Sequence, residues 1–340
     1  MLMLRALFAL WLAAAPAGAA ETIKLGYTRT ATDIAIYVAH KRGYLKAEGI
    51  ELSLINVQST TAMLVPMASG DMDVMAGSGA AGLFNASARG LDIRLVASKV
   101  RTPKGFTSQT LIVRKELFDS GKVKTIADLR GMKVASSSPG SGSIGSLNRI
   151  LGTGGLKLND VDQVYLAFPQ MLPALKNGAV AAVLPAEPFT MEAVKQGLAV
   201  PLMSDDVAYP GHEIASFLFA GRLIREKRDI AYGVLKSLIR GARDHNDALD
   251  DKGFLRGPRS DGIIAILNEY TGVKDPEFYR SFALAYCDPD GAIGFDSLRE
   301  DLALFRELGL IQGDPTVEKL VDESLRQRVI QELGHYVKAR

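Results

Sequence analysis

The sequence predicts an α/β protein of two similar lobes, with two mostly parallel sheets flanked by helices and a helical C-terminal tail. Short apolar runs alternate with helical segments of about ten residues, the pattern of βαβ crossovers in a parallel sheet. This pattern begins again near residue 126. After residue 222 the apolar periodicity is almost wholly helical. The two rounds of alternation predict the lobes, and the helical end predicts the tail.

The composition is that of an ordinary globular protein with a sizeable core. The chain has 340 residues, of which 47% are hydrophobic and 23% are charged, enough for roughly two domains of 100–200 residues each. A net charge of +2 is too balanced for a nucleic-acid-binding surface. One cysteine, Cys287, excludes a disulfide framework, a cysteine-based zinc site and a C-x-x-C redox centre. We expect no cofactor and no metal.

The first 20 residues have the three parts of a signal peptide. Residues 1–5 carry one positive charge, residues 6–15 are apolar, and residues 16–20 are small. The apolar run is shorter than the roughly 20 residues needed to span a bilayer. We therefore expect cleavage near Ala19 and Ala20 and export to the periplasm.

The first round of alternation covers residues 22–98. Alternating or buried apolar runs predict strands, and glycines such as Gly43 and Gly70 follow the helices as C-caps. The predicted strands are residues 22–27, 51–57, 74–77 and 93–98, and the predicted helices are residues 34–42, 61–68 and 80–89.

The second round follows the same rules of periodicity. It begins with a short helix and turn at residues 126–131. The predicted strands are residues 133–137, 161–167, 180–184 and 215–221, and the predicted helices are residues 143–152, 171–176 and 191–196.

An internal repeat supports two equivalent lobes. Residues 67–77 and 175–185 each contain a helix end, a glycine, a short buried strand and a loop that opens another helix. Two-lobed chains of this type bind a small ligand between the lobes, near the carboxyl ends of the parallel strands.

Four segments carry a resemblance to a known family. They are residues 37–52, residues 70–74 with 77–79, residues 128–135 with 138–143, and residues 187–189. Through them the chain, from about residue 23 to 232, resembles the extracytoplasmic solute-binding proteins of ABC importers in the nitrate/sulfonate/taurine group. That group also includes binders of thiamine-precursor pyrimidines.

The resemblance implies a type II periplasmic-binding-protein fold, in which two crossing strands join two lobes that close over one solute. It places lobe one at residues 21–105 plus 212–340 and lobe two at residues 106–211. Two features depart from the family pattern: Ala181 stands where many relatives carry an acid, and the chain after the signal peptide has no tryptophan.

The loop of residues 138–143 is the first candidate ligand site. It lies between a predicted strand and a predicted helix, and it contains Ser138, Gly140, Ser141, Gly142 and Ser143. Free N–H groups in the first helical turn form a site for an anion or a carbonyl, and a serine hydroxyl adds a donor. The alternative is an ordinary N-cap.

The same loop matches G-x-G-x-x-G through Gly140, Gly142 and Gly145. A dinucleotide site needs an acid at the carboxyl end of the next strand. That strand ends Ala167-Phe168 without one, so the sequence disfavours a dinucleotide.

Two loops of lobe one are further candidates. Gly77, Ser78 and Gly79 occupy the corresponding place after a strand, where Ser78 donates to a ligand or the glycines only allow a tight turn. Thr28 and Arg29 follow the first strand. Arg29 pairs with an anionic solute or stays in solvent.

The remaining candidates are Glu187, Phe189 and His212. Glu187 either interacts with a helix dipole or accepts hydrogen bonds from an amine or an aminopyrimidine. Phe189, like Phe168, contacts the apolar part of a solute or packs in the core. His212 follows the second crossing expected from the resemblance, so it is a candidate for the cleft.

The resemblance implies a binding protein rather than an enzyme, and the sequence lacks G-x-S-x-G, H-E-x-x-H and P-loop motifs that would indicate catalysis. We expect a monomer that binds a small anion such as a sulfonate, nitrate or carboxylate, delivers it to a membrane permease and binds no nucleic acid. The alternatives are a binder of a pyrimidine or other heteroaromatic solute, a ligand sensor, and an enzyme resembling the pyrimidine synthases of this fold. The resemblance implies a histidine-rich, iron-bearing cysteine motif for the last, which this chain lacks.

Overall fold

The computed structural model describes residues 20–338. The expected signal peptide lies outside the described residues except for Ala20. Among the residues described, no helix is both long enough and apolar enough to cross a membrane.

The first sheet has the strand order β2-β1-β3-β10-β4. Its strands are β1 (Glu21–Tyr27), β2 (Ile50–Asn56), β3 (Val74–Gly77), β4 (Ile93–Thr102) and β10 (His212–Ala220). Strands β2, β1 and β3 are parallel, and β10 is antiparallel to both of its neighbours.

The second sheet repeats this arrangement in the order β7-β6-β8-β5-β9. Its strands are β5 (Thr110–Arg114), β6 (Lys133–Ser136), β7 (Asp162–Tyr165), β8 (Ala182–Val183) and β9 (Ala199–Ser204). Strands β7, β6 and β8 are parallel, and β5 is antiparallel to β8 and β9. Strands β3 and β8 occupy equivalent places in the two sheets, as the internal repeat predicts.

Helices flank both sheets. Those before β10 are α1 (Ile34–Lys41), α2 (Tyr44–Ala47), α3 (Leu64–Ser69), α4 (Ala81–Ala88), α5 (Lys115–Asp119), α6 (Gly142–Thr153), α7 (Phe168–Lys176), α8 (Phe189–Lys195) and α9 (Asp205–Ala208). Those after β10 are α10 (Gly221–Glu226), α11 (Arg228–Ala248), α12 (Ser260–Thr271), α13 (Phe295–Glu307), α14 (Val317–Leu320) and α15 (Ser324–Leu333). The predicted α/β class and the helical tail are confirmed.

The C-terminal helices pack on the side of the molecule that contains the first sheet. A Cβ at Gly241 of α11 would lie 2.1 Å from the carbonyl oxygen of Ala35 in α1, so only glycine allows these helices to approach so closely. Residue Val321 forms a β-bridge with Leu95 of β4. The tail is thus part of the first sheet's packing.

Two strands were missing from the sequence prediction, β5 and β9. Strand β9 contains Pro201, which cannot donate a ladder hydrogen bond, and the strand is accordingly at the edge of its sheet. Strand β5 is a run of only five residues, too short for periodicity to distinguish a strand from a helix. Strand β4 also extends four residues beyond the predicted end at Ser98, to Thr102.

Two connections link the sheets, residues 103–109 and residues 205–211, and hydrogen bonds join them. The Asp205 carboxylate accepts hydrogen bonds from the amides of Ser108 (3.1 Å) and Gln109 (3.0 Å). Asp206 accepts from the Gly105 amide at 2.9 Å. Asp205 is fully buried, and this desolvation raises its pKa to about 8. The crossing is therefore a compact unit built around two carboxylates.

Candidate functional site

The two serine–glycine corners predicted from the sequence meet in one crevice. The Ala81 amide, at the start of α4, donates to the carbonyl oxygen of Gly140 at 2.7 Å. Gly140 has a φ of 58°, and a Cβ there would lie 2.6 Å from the Ala81 Cβ. A Cβ on Gly142 would lie 3.2 Å from the Ser78 Cβ. Glycine is required at Gly140 because the corners touch. At Gly142 it is required because the Ile214 carbonyl oxygen would lie 2.9 Å from a Cβ.

A cavity of about 60 Å³ lies between these corners. It is lined by Thr28, Thr32, Gln58, Ser59, Thr60, Ala76, Gly77, Ser78, Lys99, Ser108, Gln109, Ser137, Ser141, Ser143, Phe168, Ala186, Ile214 and Ala215. Several of these residues follow the carboxyl ends of β1, β2, β3 and β6, where open α/β sheets bind ligands. Nine of these eighteen residues are serine or threonine.

Five predicted residues line this cavity, namely Thr28, Gly77, Ser78, Ser141 and Ser143. Four other predicted residues belong to the same corners but do not line the cavity: Ser138, Gly79, Gly140 and Gly142. Ser138 holds the loop, because its carbonyl oxygen accepts from the Ser141 hydroxyl at 2.8 Å. A Cβ on Gly79 would lie 2.8 Å from the Leu298 side chain, so Gly79 permits packing against the tail.

Arg29 points away from the cavity. Its Nε donates to the Tyr270 carbonyl oxygen in α12 at 3.0 Å, and its backbone has a positive φ of 58°. This turn directs the guanidinium to the tail, so the prediction that Arg29 faces the cleft is not supported by the geometry.

Glu187 and Phe189 lie behind the cavity wall. The Glu187 carboxylate accepts from the Met191 amide at 3.1 Å, and burial raises its pKa to about 8. Glu187 lines a separate pocket of about 300 Å³ with Met191 and Phe282. Phe189 stacks on Phe168, with ring centroids 6.5 Å apart, and of the two only Phe168 reaches the cavity.

His212 is fully buried and is not a cavity residue. Its Nδ1 lies 3.2 Å from the Ser146 Oγ and its Nε2 lies 2.8 Å from an Asp301 oxygen. The Tyr209 ring stacks on it at 4.1 Å. Because β10 starts at His212, the imidazole packs between α6 and α13 instead of facing the cleft.

Sequence reasoning missed the main charge of the cavity, Lys99. It lies on β4, is 2% exposed, and its Nζ is 2.5 Å from Asp33 Oδ1. Among the described residues that line the cavity, Lys99 is the only charged one. The sequence does contain a signal for this buried cation, because Lys99 lies inside the apolar run of residues 95–100. Lysine is almost never buried unless it is paired.

Several polar groups at the cavity lack partners. The Ser78 Oγ and the Gln109 Oε1 are buried, and within residues 20–338 neither forms a hydrogen bond. The Gln109 amide nitrogen donates to the Ser143 Oγ at 2.9 Å. The amide of Ser143, in the first turn of α6, also has no partner in the described part of the chain, and neither does the amide of Gly142 next to it. Buried polar groups without partners are rare in proteins, so these groups are available to a ligand.

The arrangement suits binding of a small oxyanion. One ammonium, hydroxyl donors and free helix N-terminal amides are the groups that hold such an ion. Cys287 is not in this lining, and burial raises its pKa to about 12, so its thiol is not activated as a nucleophile. No cluster of three or more metal-ligating side chains occurs among the residues that the structure describes.

Residues 17–251 match the model of the NMT1-like family. The chain belongs to the NMT1-like family. The match covers most of the chain, including both sheets and the cavity-lining residues. Within the NMT1-like family, the resemblance to the solute-binding proteins of the sulfonate and nitrate group is confirmed by the relatives described next.

A protein of Escherichia coli (strain K12), named as an aliphatic sulfonates-binding protein, is 27% identical over 236 residues, 67% of this chain and 70% of the relative. The alkanesulfonate-binding protein SsuA of Xanthomonas axonopodis pv. citri, bound to MOPS, is 19% identical with a TM-score of 0.71, covering 88% of this chain and 98% of that one. The periplasmic nitrate-binding protein NrtA of Synechocystis PCC 6803 is 15% identical with a TM-score of 0.75, covering 92% and 89%.

The desulfurization enzyme DSZB has the same fold, at 17% identity and a TM-score of 0.62, covering 92% of this chain and 99% of that one. The predicted two-lobed fold of periplasmic binding proteins is confirmed by these similarities, and this NMT1-like chain shares it with both binding proteins and an enzyme.

Proposed function

We propose that this protein is the exported solute-binding component of an ABC importer and that it binds a small oxyanion, with an alkanesulfonate as the first candidate. The observation that carries the proposal is the cavity between the two serine–glycine corners. There a buried lysine, Lys99, lies with the unpaired Ser78 hydroxyl and the free amide of Ser143, next to the free amide of Gly142 in the same corner. The names of the E. coli and Synechocystis relatives support an anion and a periplasmic location.

The mechanism follows from which lobe supplies each group. We propose lobe boundaries at residues 21–105 plus 212–340 and residues 106–211. Lys99 and Ser78 then belong to lobe one, and the α6 amides belong to lobe two. A ligand that contacts both sides stabilises the closed form through contacts that the open form cannot make. The Ala81–Gly140 and Ala31–Glu187 backbone hydrogen bonds, at 2.7 and 2.9 Å, close the crevice around it, and the permease recognises this closed surface.

A heteroaromatic ligand fits the cavity less well. Glu187, the acid expected to accept from an aminopyrimidine, lines another pocket. Phe168 is the single aromatic residue among the described lining residues, so a flat ring has one face to stack on. The cavity volume of about 60 Å³ also favours a compact head group.

The second alternative is an enzyme of this fold, and few observations in the structure support it. The Ser146, His212 and Asp301 side chains form a hydrogen-bonded chain, but the serine is on Nδ1 and the acid on Nε2, the reverse of a catalytic triad. All three are buried and none lines the cavity. A sensor that presents the same ligand to a signalling receptor would use the same site.

Isothermal titration of the chain from Glu21 onward tests the proposal. We expect binding of methanesulfonate or a longer alkanesulfonate, with nitrate and acetate as competing anions and an aminopyrimidine as the heteroaromatic ligand. Tight binding of the aminopyrimidine with no response to any of the anions would overturn the proposal.

A further inference from the structure

Asp33 lies directly behind the cavity cation. Its carboxylate is completely buried, and one oxygen contacts the Lys99 ammonium at 2.5 Å. The other oxygen accepts from the Thr30 amide at 3.0 Å. The second contact of the ammonium is the Thr32 hydroxyl oxygen at 3.5 Å. Asp33 is therefore fixed by its own helical turn and cannot rotate away from Lys99.

The pair sets the charge that a ligand meets. Lys99 is the one charged residue among those described in the lining, and Asp33 cancels its charge at contact distance. A monoanion beside Lys99 completes an alternating arrangement of negative, positive and negative charges. A dianion of the same size is attracted twice as strongly by Lys99 and repelled twice as strongly by the buried carboxylate. It also loses far more hydration than a monoanion on entering the site, and a lysine whose charge is largely cancelled by Asp33 does not offset that loss. Because the site is shielded from water, this repulsion is only weakly screened.

We propose that Asp33 is a specificity-determining residue that makes the site select monoanions over dianions of the same shape. The inference rests on the proposed function, because it requires that the cavity binds an anion. Asp33 acts through Lys99 and does not line the cavity itself, so it is a positioning residue in the ligand site.

Methanesulfonate and sulfate provide the test, because both are tetrahedral and differ by one charge. We expect the native chain to bind methanesulfonate at least about tenfold more tightly than sulfate. In Asp33→Asn the ratio of the two dissociation constants shifts by about tenfold toward sulfate, because a removed charge acts twice as strongly on the dianion. A smaller side chain that still accepts from Thr30, Asp33→Ser, is expected to shift the ratio in the same direction.

The chain contains a matched control in Asp128. Asp128 accepts from the Thr125 amide at 2.8 Å in the same kind of capping box, but it is exposed and is not a cavity residue. Asp128→Asn should leave the ratio unchanged, and circular dichroism of each variant verifies that it is folded.

The outcomes are distinct. If no anion binds to the native chain, the proposed function fails. If methanesulfonate binds and the ratio is the same in the native chain and in the two Asp33 variants, the role of Asp33 fails while the proposed function stands. If neither Asp33 variant folds, the ratio of the two dissociation constants in the native chain tests the inference. Sulfate binding as tight as methanesulfonate binding then overturns it.

Discussion

The amide of Ala81 donates a 2.7 Å hydrogen bond to the carbonyl oxygen of Gly140, which joins the first turn of α4 to the loop before α6. The two residues are also in steric contact, since a Cβ on Gly140 would lie 2.6 Å from that of Ala81. This contact closes the crevice at the point where both serine–glycine corners approach the cavity.

Replacing Gly140 with alanine should prevent this closure. The added methyl group meets Ala81 in the closed form alone, so ligand affinity should fall by about tenfold or more while the open form still folds. Titration with methanesulfonate and small-angle scattering with and without ligand measure the two effects.

Gly121→Ala is the matched control for that variant. Gly121 has a φ of 79° and no atom within 4 Å of its Cβ position, so it has the same backbone strain of about 1–2 kcal/mol without the steric contact. Equal losses of affinity in both variants would show that strain, and not closure, is responsible.

Lys99→Met should abolish most of the anion binding. Removing a buried, hydrogen-bonded charge from a ligand contact costs about 2 kcal/mol or more, which is about 30-fold in affinity. The variant should also unfold more easily by about 3–5 kcal/mol, because Asp33 stays buried without a cation.

The double variant Lys99→Met with Asp33→Asn separates the two effects of Lys99. It should recover most of the free energy of unfolding, measured in urea, without recovering anion binding. Recovery of binding in the double variant would contradict the role given to Lys99.

Removing the hydroxyls of Ser78 and Ser141 together should weaken ligand binding. Ser78 Oγ is unpaired, so its loss removes a ligand contact and leaves no partner unsatisfied. The free energy of unfolding should fall by about 1–2 kcal/mol, because the Ser138 carbonyl oxygen loses the hydrogen bond from the Ser141 hydroxyl. Ser69→Ala, an exposed residue outside the cavity, serves as the control, and unchanged affinity in the double variant would place the site elsewhere.

Stability should fall as the pH rises from 6.5 to about 8. Burial raises the pKa of Asp205 and of Glu187 to about 8 and that of Glu213 to about 7. These carboxyls are already ionised in the unfolded chain in this range, while the folded state still holds their protons. The folded state therefore loses stability as the pH rises toward the folded-state pKa of each carboxyl, and the loss ends above it. Each contributes a loss of up to about 1.4 kcal/mol per pH unit. Urea unfolding at several pH values measures this slope.

Asp205→Asn should reduce that slope, because the replaced group no longer titrates. Asp128→Asn should not, since backbone hydrogen bonds from Lys124 and Thr125 lower the pKa of Asp128 and it is ionised in both states over this range. An identical slope in Asp205→Asn and the native chain would assign the effect to other groups.

Local sequence patterns predicted the parts of the site that depend on strand ends. Ser78 directly follows β3 of the first sheet, and Ser141 lies in the loop after β6 of the second sheet. Open α/β sheets bind ligands at the carboxyl ends of their strands, so the sequence points to both loops. Topology alone does not bring the two loops together, because they belong to different sheets. The pairing of Asp33 with Lys99 joins residues on different elements, and only the packed structure shows it. Arg29 also follows a strand, but its positive φ turns it to Tyr270, which a pattern of residue types does not encode.

The position of β10 has a consequence for how the chain matures. This strand, residues 212–220, lies between β3 and β4. Strand β4 therefore has no neighbouring strand on that side until the second sheet's strands and then β10 have been synthesised. A fragment truncated before His212 would expose unpaired backbone on both β3 and β4. The amino-terminal half therefore cannot complete its sheet ahead of the rest of the chain during synthesis.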